Sequence, residues 1–577
     1  MAKINKKTLR ISGITLLIVV AFIIALNMIA TKIIEKKIDS FLVNEHLKHY
    51  HIKYTSVGFN LLNRSVSLTG FRYFPDSAFL NSLDKSDINT IVPEITVGRL
   101  TVSGIDLQAV LYGHNLAIKK IAVKKPVIKL YKFDGKLRHA NEEKKRGLSF
   151  EDSVLLTGVK DISVGTIAFN KSKFEIYNYK QKKYVLTSKE ITITVQGLML
   201  RPSGHGNAYF YPTLRDASLV ARDIVLELGN HLYEIAFQQL TADLNRQSLI
   251  FKGFRYKPLY SMDAFSKHIK YQKERFDMQA GKIAFTGVEY YRFLMENEIR
   301  IRKISISDAS IHLYRDKRVP FNHSQRPLLP NQSLKRMKGK LKIDTVQIKN
   351  TRFDYGEMTD LRSQPLSVYF THLSGNITHI LNFPYLWKKN SMKAVFKGRL
   401  MNKAPMDIQF VFPLAVKSDT FYFSGAVFGP IPLSVFNPAI YPAAGLKFNG
   451  GMLDTLTFSG SANPIYSSGI MLMLYHNLDL QAMKKKEGQT ANKFLSWGVN
   501  SLIRKNNPRK GEGKKAKTVS MFFLRDVEKG FGNFYWKTLF SGMKATMLPS
   551  VNTINRKNMQ SVSDAGKSKS QTGKKER

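Results

Sequence analysis

The chain has 577 residues, 43% of them apolar, which supports cores for several domains or one long repeat body. It has no cysteine, so a disulfide framework, a thiolate zinc site and a cysteine nucleophile are excluded. Its 89 Lys and Arg against 43 Asp and Glu give a net charge of +46, which points first to nucleic acid or anionic headgroups.

Residues 1–10 form a basic N-terminus with Lys3, Lys6, Lys7 and Arg10. An uncharged run follows over 11–31. At 1.5 Å per residue it makes a helix of about 31 Å, the thickness of a hydrocarbon core. Glu35 and Asp39 dilute the positive charge on the far side, so the N-terminus is expected in the cytoplasm and the body outside. A cleaved signal has a shorter apolar region ending at a small-residue site. This run is longer and has no convincing Ala-x-Ala, so an uncleaved anchor is expected. No second apolar run of that length occurs. Residues 32–50 read as an amphipathic helix with Ile33, Ile34, Ile38, Phe41, Leu42 and Leu47 on one broad face.

Beyond Tyr50 the period changes from helical to alternating. Short runs such as Leu100-Thr-Val102, Ile191-Thr-Ile-Thr-Val195 and Phe421-Tyr-Phe423 are broken by Gly, Asn, Asp and Lys. Lysines spread singly along these runs, as in Ile118-Lys-Lys-Ile121 and Val123-Lys-Lys-Pro126, fit a solvated strand face. Leu62-Asn-Arg-Ser-Val-Ser-Leu-Thr-Gly-Phe-Arg-Tyr73 returns as Leu244-Asn-Arg-Gln-Ser-Leu-Ile-Phe-Lys-Gly-Phe-Arg-Tyr256, with one residue inserted after the Arg. From there the offset is 183: Gly70 maps to Gly253, Pro75 to Pro258, Gly98 to Gly281 and Gly104 to Gly287. Ile121, Val123, Ile128 and Leu130 map onto Ile304, Ile306, Ile311 and Leu313. Thr166-Ile-Ala-Phe-Asn-Lys-Ser-Lys-Phe-Glu175 resembles Thr345-Val-Gln-Ile-Lys-Asn-Thr-Arg-Phe-Asp354 at an offset of 179.

Two β repeats are therefore expected, at 51–225 and 234–405, each of many short antiparallel strands. A different β segment spans 406–482. Residues 483–551 form a basic, amphipathic C-terminal region. Residues 552–577, rich in Ser, Lys, Gln and Asn, are expected to be a disordered tail. The paired glycines Gly70/Gly253 and Gly104/Gly287 are expected at matching backbone sites that exclude a side chain.

Motifs for catalysis are scarce. There is no His-Glu-x-x-His and no Gly-x-Ser-x-Gly. Lys510-Gly-Glu-Gly-Lys514 lacks the spacing of a phosphate loop. His46, His49 and His51 are the best metal candidates, but only the first two share a helical face, and a structural or exposed cluster is the better reading. The three tryptophans are too dispersed for a base-stacking platform. No catalytic residue, metal or cofactor is expected. The apolar strand faces must be covered, by a second sheet, by closure of the sheet on itself or by a hydrophobic ligand, and periodicity does not separate these.

The order of anchor, amphipathic helix, Ile52-Lys-Tyr-Thr-Ser-Val-Gly-Phe59 and Ser65-Val-Ser-Leu-Thr-Gly-Phe71 resembles the AsmA-like envelope proteins, and more closely their relatives in Bacteroidota. Phe423-Ser-Gly425, Phe436-Asn-Pro438, Gly451-Met-Leu-Asp-Thr-Leu-Thr-Phe458, Met473-Leu-Tyr-His-Asn-Leu-Asp-Leu480 and Asn500-Ser-Leu-Ile-Arg-Lys-Asn-Asn-Pro508 are similar to that group's closing segment. The resemblance implies a mainly β, elongated, repeating β-groove: a curved antiparallel sheet with two internal repeats and an N-terminal transmembrane helix. It implies a single-pass inner-membrane protein with its bulk in the periplasm. The expected partners are phospholipid or another acyl-chain lipid, the membrane and envelope proteins, and not nucleic acid. Ile121, Val123, Ile128, Leu130, Ile304, Ile306, Ile311 and Leu313 are the expected groove lining. About thirty strands at ~4.8 Å would span at most ~140 Å, and the chain is short beside the family's largest members. A non-transporting envelope-assembly scaffold is the alternative. A nucleic-acid or anionic-surface binder is a second one, opposed by the anchor and by the lack of a basic stripe interleaved with aromatics.

Overall fold

A computed structural model describes residues 49–85, 89–106, 115–133, 161–202, 210–228, 231–360, 364–482, 503–509 and 516–575, with isolated residues of the first segment between Val20 and Lys36. Strands make up 60% and helices 19%, so the chain is mainly β, in a curved and mostly antiparallel arrangement. It divides into two compact units, Met1–Gly229 with Ala236–Ser248, and Asn230–Ile235 with Leu249–Arg577.

The first unit holds β1 (Tyr50–Lys53), β2 (Ser56–Asn60), β3 (Ser65–Pro75), β4 (Thr90–Ile105), β5 (Asn115–Phe133), β6 (Asp161–Asn178), β7 (Lys183–Thr187), β8 (Glu190–Pro202), β9 (Phe210–Thr213) and β10 (Asp216–Glu227). Helix α1 (Ser77–Lys85) follows β3. Neighbouring strands pair antiparallel except β5 and β6, which run parallel. Strand β11 (Tyr233–Asp243) is divided between the units.

The second unit continues with β12 (Ser248–Pro258), α2 (Met262–Lys267), β13 (Glu274–Val288), α3 (Tyr290–Glu296), β14 (Glu298–Asp316), α4 (Pro330–Lys335), β15 (Lys340–Met358) and β16 (Leu366–Leu381). Then come β17 (Ser391–Leu400), β18 (Ala404–Pro413), β19 (Phe421–Pro432), α5 (Asn437–Ala444), β20 (Leu446–Ala462), β21 (Tyr466–Ala482) and β22 (Thr518–Leu524). Helices α6 (Phe531–Met547) and α7 (Pro549–Lys575) follow β22. Here too one pair among the described residues, β14 with β15, is parallel.

The copies agree strand by strand. β3 and β12 are both 11 residues, and β5 and β14 both 19. The parallel pairs have the same register, Ile118 opposite Val164 in one and Ile301 opposite Ile343 in the other. The residue apparently inserted after the Arg is not an insertion. Both turns have four residues, Leu61–Arg64 and Leu244–Gln247. Arg64 N–H donates to the Leu61 carbonyl, and Gln247 N–H to that of Leu244. Asn60 and Asp243 side chains accept from the third turn residue in each copy. The offset is thus 183 through the turn, and the shared Leu-Asn-Arg letters are one position out of structural register.

The strands are also longer than their sequence suggests, and 22 are described where about thirty short ones were expected. They are not all antiparallel either. The cause of the apparent shortness is a left-handed residue inside the strands: Lys125 (φ 51°) and Lys171 (φ 54°), matched by Asp308 (φ 53°) and Asn350 (φ 46°). Each one shifts the in–out alternation by a residue while the ladder continues. Ala309 and Ile306, three apart across Asp308, accordingly pack in one cluster with Ala280 and Ile283.

Gly70, Gly104, Gly253 and Gly287 all have φ between 60° and 66°. A Cβ on Gly104 would lie 2.5 Å from the Lys119 Cβ, and one on Gly287 would lie 2.6 Å from the Arg302 Cβ, the equivalent residue.

Two strand edges are closed by helix side chains. At β22, Ser520 N–H donates to Asn552 Oδ1, Phe522 N–H to Ser541 Oγ, and Asn555 Nδ2 donates to the Ser520 carbonyl. At β2, Phe59 N–H donates to Thr31 Oγ1 and Leu61 N–H to Asn27 Oδ1. Such capping satisfies donors that would otherwise recruit another strand. It also gives the first residues of the stretch read as a disordered tail a structural place, because Asn552 and Asn555 are buried in helix α7. These short polar side chains dock on an edge, a role that composition does not reveal. Most of the expected anchor 11–31 and helix 32–50 lies outside the described residues. Among the described residues no helix is long and apolar enough to cross a membrane.

The closing segment locks onto β21. Tyr475 Oη donates to the Arg504 carbonyl at 2.6 Å, and Asn507 Nδ2 to the carbonyls of Met473 and Lys517. Burial pushes the Tyr475 hydroxyl up to about 12. A raised acid keeps its proton longer when folded. Its contribution is therefore intact below the unfolded value near 10 and lost as pH rises through about 12. Tyr475→Phe is expected to cost about 1–2 kcal/mol at neutral pH and to flatten the loss of stability between those values. Denaturant unfolding across alkaline pH checks both. Gly104→Ala and Gly287→Ala are each expected to cost about 1–3 kcal/mol, whereas Gly281→Ala, with 3.5 Å to its nearest neighbour, should be near neutral. Unfolding midpoints of the three variants test this.

Candidate functional site

Residues directly opposite across a ladder share a face. In the first unit this builds apolar rows across six strands. Leu68, Leu100, Val123, Phe169, Ile193 and Leu219 form one. Val66, Val102, Ile121, Ile167, Val195 and Ala217 form the next. Ile128 continues beside Ile95 and Phe174, and Leu130 beside Pro93 and Ile176. The alternate rows, such as Thr69, Arg99, Lys124 and Asn170, are polar.

The second unit repeats the pattern. Ile304 lies between Phe285 and Val346, Ile306 between Ile283 and Ile348, Ile311 between Met278 and Phe353, and Leu313 between Phe276 and Tyr355. Every sequence-predicted lining residue thus falls in one of these rows.

What covers the rows differs along the chain. In the first unit, no helix among the described residues packs along them. Helix α1 touches only one end, where Leu80 meets Val92 and Phe133. Of the eight lining residues only Val123 is buried, at 7% exposure, and the other seven are half-buried. From β16 onward the rows are closed. Helix α5 lies on β16 and β20, and α6 on β21 and β22. Phe421, Phe423, Phe458, Met471 and Val519 are buried there with Phe534 of α6. Gly542 of α6 lets its backbone approach Met521 and Met471. Tyr535 of the same helix packs edge-to-face among Phe410, Phe423 and Phe458, and burial pushes its hydroxyl well above the usual range. This filled core was not legible in the sequence, because its lid is a helix that follows the last strand.

Other clusters are structural. Ser310 Oγ lies 2.7 Å from His312 Nε2, and His312 Nδ1 lies 3.1 Å from Asp354 Oδ2. That is the connectivity of a hydrolytic triad. It lies on the polar face of β14, with Arg352 also bonded to Asp354. Ser310 sits in mid-strand, laddered to Gln279 and Arg352, so the local amides are committed to pairing instead of to an oxyanion. In the first copy the equivalent of His312 beside Asp354 is Lys129 beside Glu175, which marks a cross-strand polar pair. Lys129 is further held over the rings of Tyr131, Tyr177 and Tyr184.

An open depression of about 490 Å³ is lined by Asp263, Ser266, Lys267, Asp316 and Arg318. Asp316 already accepts from Ser266 and Arg318, whose guanidinium holds its carboxyl down at about 2. His49 stacks on Phe79 and His51 bonds to Asp76, so these two do not converge. His46 and the Lys510–Lys514 stretch lie outside the described residues.

No family model matches the chain, and no curated protein matches it.

The contrast between bare and covered rows has a measurable consequence. Met471→Ala, at a site 1% exposed, is expected to cost roughly 2–5 kcal/mol. Ile128→Ala, half-buried, should cost about 1 kcal/mol in lipid-free protein. Equal losses in denaturant unfolding would mean that the first unit's face is a filled core.

Proposed function

We propose that the chain is an inner-membrane-anchored periplasmic protein whose apolar sheet face is a groove that binds or conducts phospholipid acyl chains, in support of outer-membrane integrity. One observation carries this reading: unbroken apolar rows run across six strands, with half-buried side chains and no covering helix among the described residues. An apolar face of that extent is not left to water, and acyl chains are the ligand whose chemistry is uniform along a long apolar strip. The order of N-terminal sequence motifs and the closing segment, which resemble AsmA-like proteins, support the same reading, as does the 21-residue uncharged run at 11–31.

The filled core from β16 to β22 favours a second reading, a scaffold whose C-terminal part recruits envelope partners. The two readings separate on substitution. A charge buried in a closed core would unfold it. In a groove the charge stays near water, so Ile121→Asp and Ile306→Asp, both at half-buried positions, should leave the protein abundant and strip its bound lipid. Photocrosslinking from positions 121, 128, 304 and 311 in living cells, with protein level measured alongside, tests this. Phospholipid adducts from both copies are the expected result. Degraded variants without adducts would leave the scaffold.

A further inference from the structure

We propose that one end of the second unit is a docking surface for an anionic phospholipid bilayer, separate from any lipid held on the sheet face. Helix α3 connects β13 to β14 and presents Tyr291, Phe293, Leu294 and Met295 to solvent, at 68%, 51%, 71% and 60% exposure. Four large apolar side chains on a seven-residue helix have no protein partner to explain them. Met337, 46% exposed, and Tyr385, 69% exposed, lie at the same end.

The contacts make this one contiguous patch. β14 and β15 start side by side, with Glu298 opposite Lys340. The Glu298 carboxylate bonds both Lys340 and Arg300. The Arg300 guanidinium lies 5.0 Å over the Phe383 ring, which is 5.8 Å from Tyr385. Asn382 donates to the carbonyls of Met337 and Gly339, tying the start of β15 to the same corner.

Charge selects the occupant. The acids of this corner are already neutralised: Glu289 and Glu296 by Arg292, Glu298 by Lys340 and Arg300. Arg336, Lys338, Lys388 and Lys389 are exposed, and no ion pair among the described residues takes them up. Apolar and aromatic side chains rimmed by free cations are the chemistry of an interfacial membrane contact. The rings and Leu294 enter the headgroup boundary, and each cation near an anionic surface strengthens the hold. An acidic protein would answer the cations but not four protruding apolar side chains on a helix of this size.

The absence of cysteine allows a direct test. The full chain carrying Leu294→Cys, labelled with an environment-sensitive nitrobenzoxadiazole dye and held in zwitterionic nanodiscs, is mixed with phosphatidylcholine vesicles with or without phosphatidylglycerol. A blue-shifted, brighter emission is expected only with phosphatidylglycerol. Lys388→Glu with Lys389→Glu should weaken vesicle binding at least about tenfold, and added salt should weaken it further. Both changes are at exposed positions, and an unchanged unfolding midpoint checks the fold. Emission that stays aqueous would overturn the proposal. So would a shift that is equal on neutral vesicles and indifferent to the charge reversal, which marks unspecific adhesion. Lipid retention on the sheet face is read separately in the same variants, so loss of docking with lipid retained bears on this surface alone.

Discussion

A β-sheet has two faces, and a face built of Val, Ile, Leu and Phe has to be kept from water by something. This chain meets that constraint in two ways. From β16 to β22 it uses its own helices. Tyr535, Phe534 and the small residues of α6 fill the space over Phe423, Phe458 and Met471. Over the earlier strands it supplies no such layer among the described residues, although the rows of Leu68–Leu219 and Val66–Ala217 are as apolar as those under α6. The same sheet chemistry with two kinds of cover is what favours an external apolar partner for the bare part.

A second constraint is the unpaired backbone of edge strands. Asn552, Asn555 and Ser541 satisfy β22, and Asn27 and Thr31 satisfy β2. Asn27 and Thr31 are polar residues inside the uncharged run 11–31. Their bonds to Phe59 and Leu61 give them a protein-facing job, so these two positions of the run are held against the first strands.

Much of the fold was readable because duplication repeats what is costly to change. Gly104 and Gly287 keep a left-handed backbone against Lys119 and Arg302, so their spacing survives and sets the register. Turn letters are cheaper. Only length and the capping Asn60 or Asp243 matter there, so Leu-Asn-Arg drifted one place and suggested an insertion that is not present. Left-handed Lys125 and Asp308 shift the alternation and hide strand continuity from a period-two reading. The parallel pairing of β5 with β6, and of β14 with β15, depends on which strands meet after a crossover, and no local pattern encodes that. The lining residues were legible as rows, but which rows a helix covers was not, because no strand pattern shows that α5 and α6 fold back over β16 and β20 to β22.

The central claim is that the bare rows are completed by acyl chains. Native mass spectrometry of the full chain purified from its membrane, followed by lipid extraction, tests it most directly. Phospholipid should be retained at a defined stoichiometry and be lost in Ile121→Asp and Ile306→Asp protein that stays folded. Folded wild-type protein that carries no lipid above the level of an unrelated membrane protein would contradict it.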